Sequence, residues 1–268
     1  MSPRELAIRR SALDAAERLL VLSGSTRIPV DVNALVVAQG LDRPRPNKNM
    51  DRRESGRLVG IRHLRIYYNA LKTEPRQRFT ICHELAHTMF LDEDTAREAR
   101  IKVRIPLEQS LPSQLEESLC ESVARSLLMP RLHFLTEIEG LSPSVGSVEY
   151  LAERFGVGRR AVLMRIETLN IDWPCAVLEW RPIDTHGRVT GFRLTSQWNV
   201  NGRLPFNFSS AAVVSMDGLY KTHDRLGKLA IDFDEQSGLR FESRSYMRRG
   251  QISVWSLATI ASRSDHRG

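Results

Sequence analysis

The chain is short of the features that would place it in several large protein classes. It has only three cysteines, Cys82, Cys120 and Cys175. An odd, widely spaced set excludes a closed disulfide framework and a four-cysteine zinc ribbon, and suits reduced thiols. No stretch approaches the roughly 18 uninterrupted apolar residues that a membrane span needs. The opening Met1 to Arg10 carries charges where a secretory leader would carry its apolar run, so a cytoplasmic protein with no membrane partner is expected. No heptad, solenoid repeat or low-complexity tract is visible.

What remains is an ordinary globular composition, 268 residues with 41% hydrophobic content, enough for one sizeable core and a smaller second unit. The net charge of +7 is unevenly spread: residues 1 to 74 hold 14 Lys/Arg against 8 Asp/Glu, residues 75 to 174 hold 12 against 15, and residues 175 to 268 hold 13 against 9. The middle third is acidic. A basic flank fits nucleic acid or an acidic protein face, but scattered arginines on a solvated surface explain it as well.

Apolar positions at Leu6, Ala15, Leu19, Leu20 and Leu22 predict a first helix closed by Gly24, and a short one follows from Val32 to Gln39. Gly40 to Gly56 reads as a loop, and Leu58 to Tyr68 alternates as a strand or hairpin does. From Pro75 to Leu91 the pattern is a helix apolar on nearly every side, and another runs from about Gln114 to Met129, stopped by Pro130. Two short helical patterns broken at Gly156-Val-Gly158 come next, and from Cys175 the period falls to two, which predicts a small antiparallel sheet.

The chemistry is concentrated in Cys82-His83-Glu84-Leu85-Ala86-His87-Thr88. Histidines four apart on a helix stack one turn above each other, so both can reach one tetrahedral ion, with Glu84 about 100° round the axis facing a water on that ion. Zinc at such a site makes water a nucleophile near neutral pH, and the carboxylate takes its proton and hands it to the leaving amine. A surface helix with two histidines and a solvated glutamate is the plain alternative, but polar groups on so apolar a helix are costly unless they bind something. Two histidines leave such a site one protein ligand short. On the helix of Leu115 to Leu128, Glu116 and Glu117 project nearer the apolar stripe than Glu121, so periodicity leaves Glu116 and Glu117 both open.

These residues, with Ile66-Tyr-Tyr-Asn69, Arg76-Gln-Arg-Phe-Thr80, Ala124 and Leu127-Leu-Met-Pro130, resemble the ImmA/IrrE family of metallo-endopeptidases, whose usual form is RQRFT, HELGH, ExxAN, FA and LLMP. The likeness is specific from about Ile28 to Pro130, looser to about Asn170, and then fades. It implies His83 and His87 as zinc ligands, Glu84 as the base and Glu117 as the third ligand. The chain departs from the pattern at Cys82, Ala86, Cys120, Glu121 and Val123. Glu121, one turn beyond Glu117, is a candidate to accept the spare imidazole N–H of a ligand histidine, and a solvated carboxylate is the equal alternative. Cys82 reads as a packing thiol rather than a soft ligand. Members of the family cleave a helix-turn-helix repressor, which implies a protein substrate of that kind and release of stress-response or mobile-element genes.

The expected architecture is therefore α+β: a zincin-like metallopeptidase domain over residues 1–134, a helical pair over 135–172 that scans like a helix-turn-helix, and a β-rich, sensor-like C-terminal domain over 173–268. The arginines at 159, 160 and 165 are placed to meet phosphate, but one such helix without a dimer element binds DNA weakly, so packing or substrate docking is preferred. The rival is a DNA-binding regulator whose peptidase domain is inactive or structural. Tyr67, Tyr68, His63 and His133 are candidate oxyanion stabilisers among which the sequence does not choose.

Overall fold

A computed structural model describes residues 2–60, 63–91, 97–104, 111–185, 188–200, 213–215, 229–234, 239–248 and 251–260. The chain divides into two compact units: residues 1–139 with 151–165, and residues 140–150 with 166–268.

The first unit opens with helix α1 (Pro3–Leu22). Ser2 caps it in a reciprocal box, its hydroxyl accepting from the Glu5 N–H while the Glu5 carboxylate accepts from the Ser2 N–H, so two end donors are satisfied. Ile8, Ala12, Ala15, Ala16 and Leu19 form its buried stripe. Asp31 caps α2 (Val32–Ala38) by accepting from the N–H groups of Asn33 and Ala34. The segment read as a loop contains a strand, β1 (Arg45–Asn47), which pairs in parallel with β3 (Arg65–Asn69). Three residues interrupted by Pro46 carry no alternation to read. Strand β2 (Gly56–Val59) pairs antiparallel with β3, so the predicted hairpin is present and the sheet order is β1-β3-β2.

Helix α3 (Glu74–Phe90) packs on β2 and β3, and on α4 (Ser113–Leu128). Its start is set by Pro75 in the first turn and by Gln77, whose amide donates to the Ala70 and Lys72 carbonyls and so folds the preceding turn back. Arg78 donates to the carbonyls of Val30 and Gly156, at 2.8 and 3.1 Å. Asn69, buried at the end of β3, donates to the Asp51 and Glu54 carbonyls, 3.0 and 2.9 Å away, and thereby fixes the turn that leads into β2. The Asn of the YYN run and the Gln and second Arg of RQRFT are thus scaffold residues. Pro130 ends the α4 run and starts α5 (Arg131–Ile138), which the sequence pattern did not separate. Helices α6 (Val145–Phe155) and α7 (Arg159–Thr168) are the pair expected around Gly156 and Gly158.

The second unit is built on an antiparallel sheet of order β6-β5-β4-β9-β8-β7, comprising β4 (Cys175–Thr185), β5 (Arg188–Asn199), β6 (Val213–Ser215), β7 (Leu229–Asp234), β8 (Leu239–Arg248) and β9 (Gln251–Ile260). Ala176, Leu178 and Trp180 of β4 share a core with Phe192, Leu194, Leu239, Val254 and Ala258, which is the period-two pattern made physical. The indole N–H of Trp180 donates to Ser256 at 3.0 Å, so this buried aromatic is satisfied. The molecule is thus mixed α+β, and among the described residues no helix is long and apolar enough to cross a membrane.

Candidate active site

Helix α3 buries Thr80, Ile81, Cys82, Leu85, Ala86, Thr88 and Met89, and its partly exposed strip is Phe79, His83, Glu84 and His87. The i, i+4 spacing stacks the imidazoles edge to face, ring centroids 4.8 Å apart at 84°. Their Nε2 atoms lie 3.2 Å from each other. From α4 the Glu117 carboxylate comes within 3.2 Å of His83 Nε2 and 3.4 Å of His87 Nε2. Two ligands at about 2.0–2.1 Å from a tetrahedral zinc ion stand roughly 3.3 Å apart, so these three separations match the edges of one coordination tetrahedron. The donor set, two imidazole nitrogens and a carboxylate oxygen, also suits that ion.

His87 is oriented from behind. Its Nδ1 lies 3.1 Å from Glu116 Oε1 and 3.5 Å from the Cys120 thiol, so an Nδ1–H donated to Glu116 directs the Nε2 lone pair towards Glu117 and His83. His83 has no such support: its Nδ1 is buried without a hydrogen-bond partner, and the ring is held by stacking on Phe79 at 6.3 Å. Burial, and secondarily the neighbouring His87, lower the His83 pKa, which favours the neutral imidazole that binds metal.

Glu84 sits between the histidines and the edge of β2. Burial raises its pKa, opposed in part by His87 and by a hydrogen bond from the Leu58 backbone N–H. The close approach of α3 to β2 depends on Gly56, where a Cβ would stand 2.3 Å from Thr80 Cγ2 and 2.8 Å from the Tyr67 carbonyl. Glu84 Cγ lies 3.7 Å from the same point, so the glycine is what lets the carboxylate reach the strand.

The structure therefore brings His83, His87, Glu84 and Glu117 together. Glu121 pairs with Arg125 at 3.3 Å, one turn along the same helix, and reaches His83 only through its charge, which raises that histidine's pKa. The carboxylate beside a histidine N–H is Glu116. Its position near the centre of the apolar stripe of α4 was the available signal, and the sequence offered it as a ligand rather than as a partner of one. Cys82 is fully buried, its thiol pushed up to about 12 by burial, and belongs to the packing. The thiol near the site is Cys120, whose pKa burial also raises. His63 pairs with Glu98 at 2.6 Å, and His133 stands 3.3 Å from the Thr26 carbonyl, so neither joins the cluster.

An α+β unit whose buried helix presents HExxH against a carboxylate on the next helix has the organisation of a zincin-like metallopeptidase. Residues 44–167 match the family model of the IrrE N-terminal-like domain, the M78 peptidases, and over that segment the resemblance to ImmA/IrrE proteins holds. Among curated proteins none matches the chain. Among solved structures it is similar to a Mycobacterium tuberculosis transcriptional regulator, with a TM-score of 0.60 and 15% identity over 97% of this chain and 81% of that one. At that identity the likeness speaks for the fold alone.

Proposed function

We propose that the chain is a zinc-dependent endopeptidase that cleaves a peptide bond in a helix-turn-helix transcriptional repressor, with His83, His87 and Glu117 as ligands and Glu84 as the general base. The observation that carries this reading is the set of 3.2–3.4 Å separations among His83 Nε2, His87 Nε2 and Glu117, with Glu84 held beside them. A zinc ion bound there supplies Lewis acidity, lowering the pKa of a water and polarising a carbonyl. Glu84 holds the proton taken from the attacking water on a carboxylate oxygen and delivers it to the leaving amine. Its raised pKa suits both halves of that transfer. The Leu58 N–H keeps the carboxylate from swinging away, and Glu116 keeps His87 in the ligating tautomer.

A second reading, a DNA-binding regulator with a structural peptidase domain, draws on the helical pair and on the name of the Mycobacterium tuberculosis protein, a transcriptional regulator. Two observations weigh against it. The whole HExxH set is intact, and Arg165, one of the arginines suited to phosphate in the helical pair, is only 3% exposed and bonded to Ser126.

The test is a Glu84→Gln variant beside wild type, each co-expressed with a candidate repressor and assayed for bound zinc. The variant is expected to retain the metal and lose cleavage by on the order of 10²-fold or more. Equal cleavage by both proteins removes Glu84 from its assigned role.

A further inference from the structure

Between one and three turns along α4 from Glu117, three arginines from three helices gather around two serines. Ser122 Oγ accepts from Arg9 Nη1 of α1 at 3.1 Å and from Arg125 Nη2 at 3.2 Å, and donates to the Ser118 carbonyl. Ser126 Oγ accepts from Arg165 Nη1 of α7 at 2.9 Å. Arg125 Nη1 also reaches Met164 Sδ at 3.7 Å, which brings its guanidinium beside the residue preceding Arg165. Arg125, Arg165, Ser122 and Ser126 are all buried, at 3–6% exposure.

Positive charge is in excess here. Arg125 pairs with the half-exposed Glu121, and Glu17 of α1 acts on Arg165 through its charge. Arg165 has a serine hydroxyl as its partner, and its buried Nε makes no hydrogen bond. Burial, then Arg125 and Arg131, bring its pKa down to about 10 against an opposing Glu17, still cationic at neutral pH. Sealing a guanidinium in the interior against a neutral hydroxyl is unfavourable, and protein interiors resolve that by pairing the charge.

We propose that Arg165, Ser126, Arg125, Ser122 and Arg9 form a binding site for a small inorganic oxyanion of the phosphate type. The donors fit that chemistry: guanidinium N–H groups present a planar fork to a tetrahedral oxyanion, and the Ser126 hydroxyl hydrogen is uncommitted among the described contacts. Their burial selects a small ion over an organic phosphate. A bound oxyanion would tie α1, α4 and α7 together at the helix that carries Glu117.

The test is thermal unfolding and titration calorimetry of the full chain in potassium gluconate, titrated with inorganic phosphate at constant ionic strength. Wild type is expected to gain about 2–4 °C in Tm once phosphate exceeds its Kd roughly tenfold. Arg165→Met should abolish the gain, and Ser126→Ala, which keeps charge and packing, should weaken phosphate binding about tenfold. If Arg165→Met does not fold, Ser126→Ala decides. No heat of binding, an equal rise with chloride, or an undiminished response in the folded variants overturns the site.

Discussion

The two histidines of the cluster are held by different means, and each mode makes a prediction. His87 leans on Glu116, so Glu116→Gln is expected to lower zinc affinity about 10–100-fold while the fold is kept, as competition with a chromophoric chelator would measure. An unchanged affinity would leave packing as the sole restraint on the ring. His83 has a buried Nδ1 with no partner and a pKa below the ordinary histidine value of 6.5. Its unfolded form binds a proton more readily than its folded form, so metal-free protein should be fully stable, as far as His83 is concerned, above pH 6.5. It should lose stability as the pH falls through that value towards the lower folded pKa. Urea unfolding of metal-free wild type and His83→Gln across that window checks this, the variant having the shallower dependence. At this scale HExxH was legible because helical period alone aligns His83 and His87. Period alone did not choose among Glu116, Glu117 and Glu121, because which one meets an imidazole depends on how α4 is rotated against α3; the family resemblance is what singled out Glu117. That rotation sends Glu121 to Arg125.

Helix α3 can present its histidines and Glu84 as one cluster because neighbouring elements fix where it begins and how near it lies to the sheet. Gly56 is the point of nearest approach, and a methyl there collides with Thr80 and with the Tyr67 backbone. Gly56→Ala should cost about 1–3 kcal/mol of stability, read by denaturant unfolding, and should reduce activity further by shifting Glu84 relative to Leu58. A variant as stable and active as wild type would mean that β2 yields without moving the helix. The helices were readable from their apolar stripes, their prolines and their terminal glycines. Strand β1 was not, since three residues around a proline show no period, and its existence depends on the parallel partner β3. Helix α5 was missed because Pro130, read as a stop, is also a start.

For the molecule as a whole, the proposed ligand set is divided between α3 and α4, so a zinc ion bound there would clamp two helices together. Removing it with a chelator should lower the Tm in proportion to metal affinity, and added zinc should restore it. A Tm indifferent to chelation would count against a bound ion. The sequence by itself determined the alternation of helix and strand, the apolar helix with its two histidines, and the likeness to the ImmA/IrrE pattern from about Ile28 to Pro130, because these depend on local period and spacing. Only the tertiary structure decided that Glu116 stands behind His87 and that Glu121 pairs with Arg125. It also decided that Asn69, Gln77 and Arg78 are scaffold, and that Arg165 is buried beside two other arginines instead of facing solvent. Those outcomes depend on the relative placement of elements far apart in the chain, which no local pattern encodes.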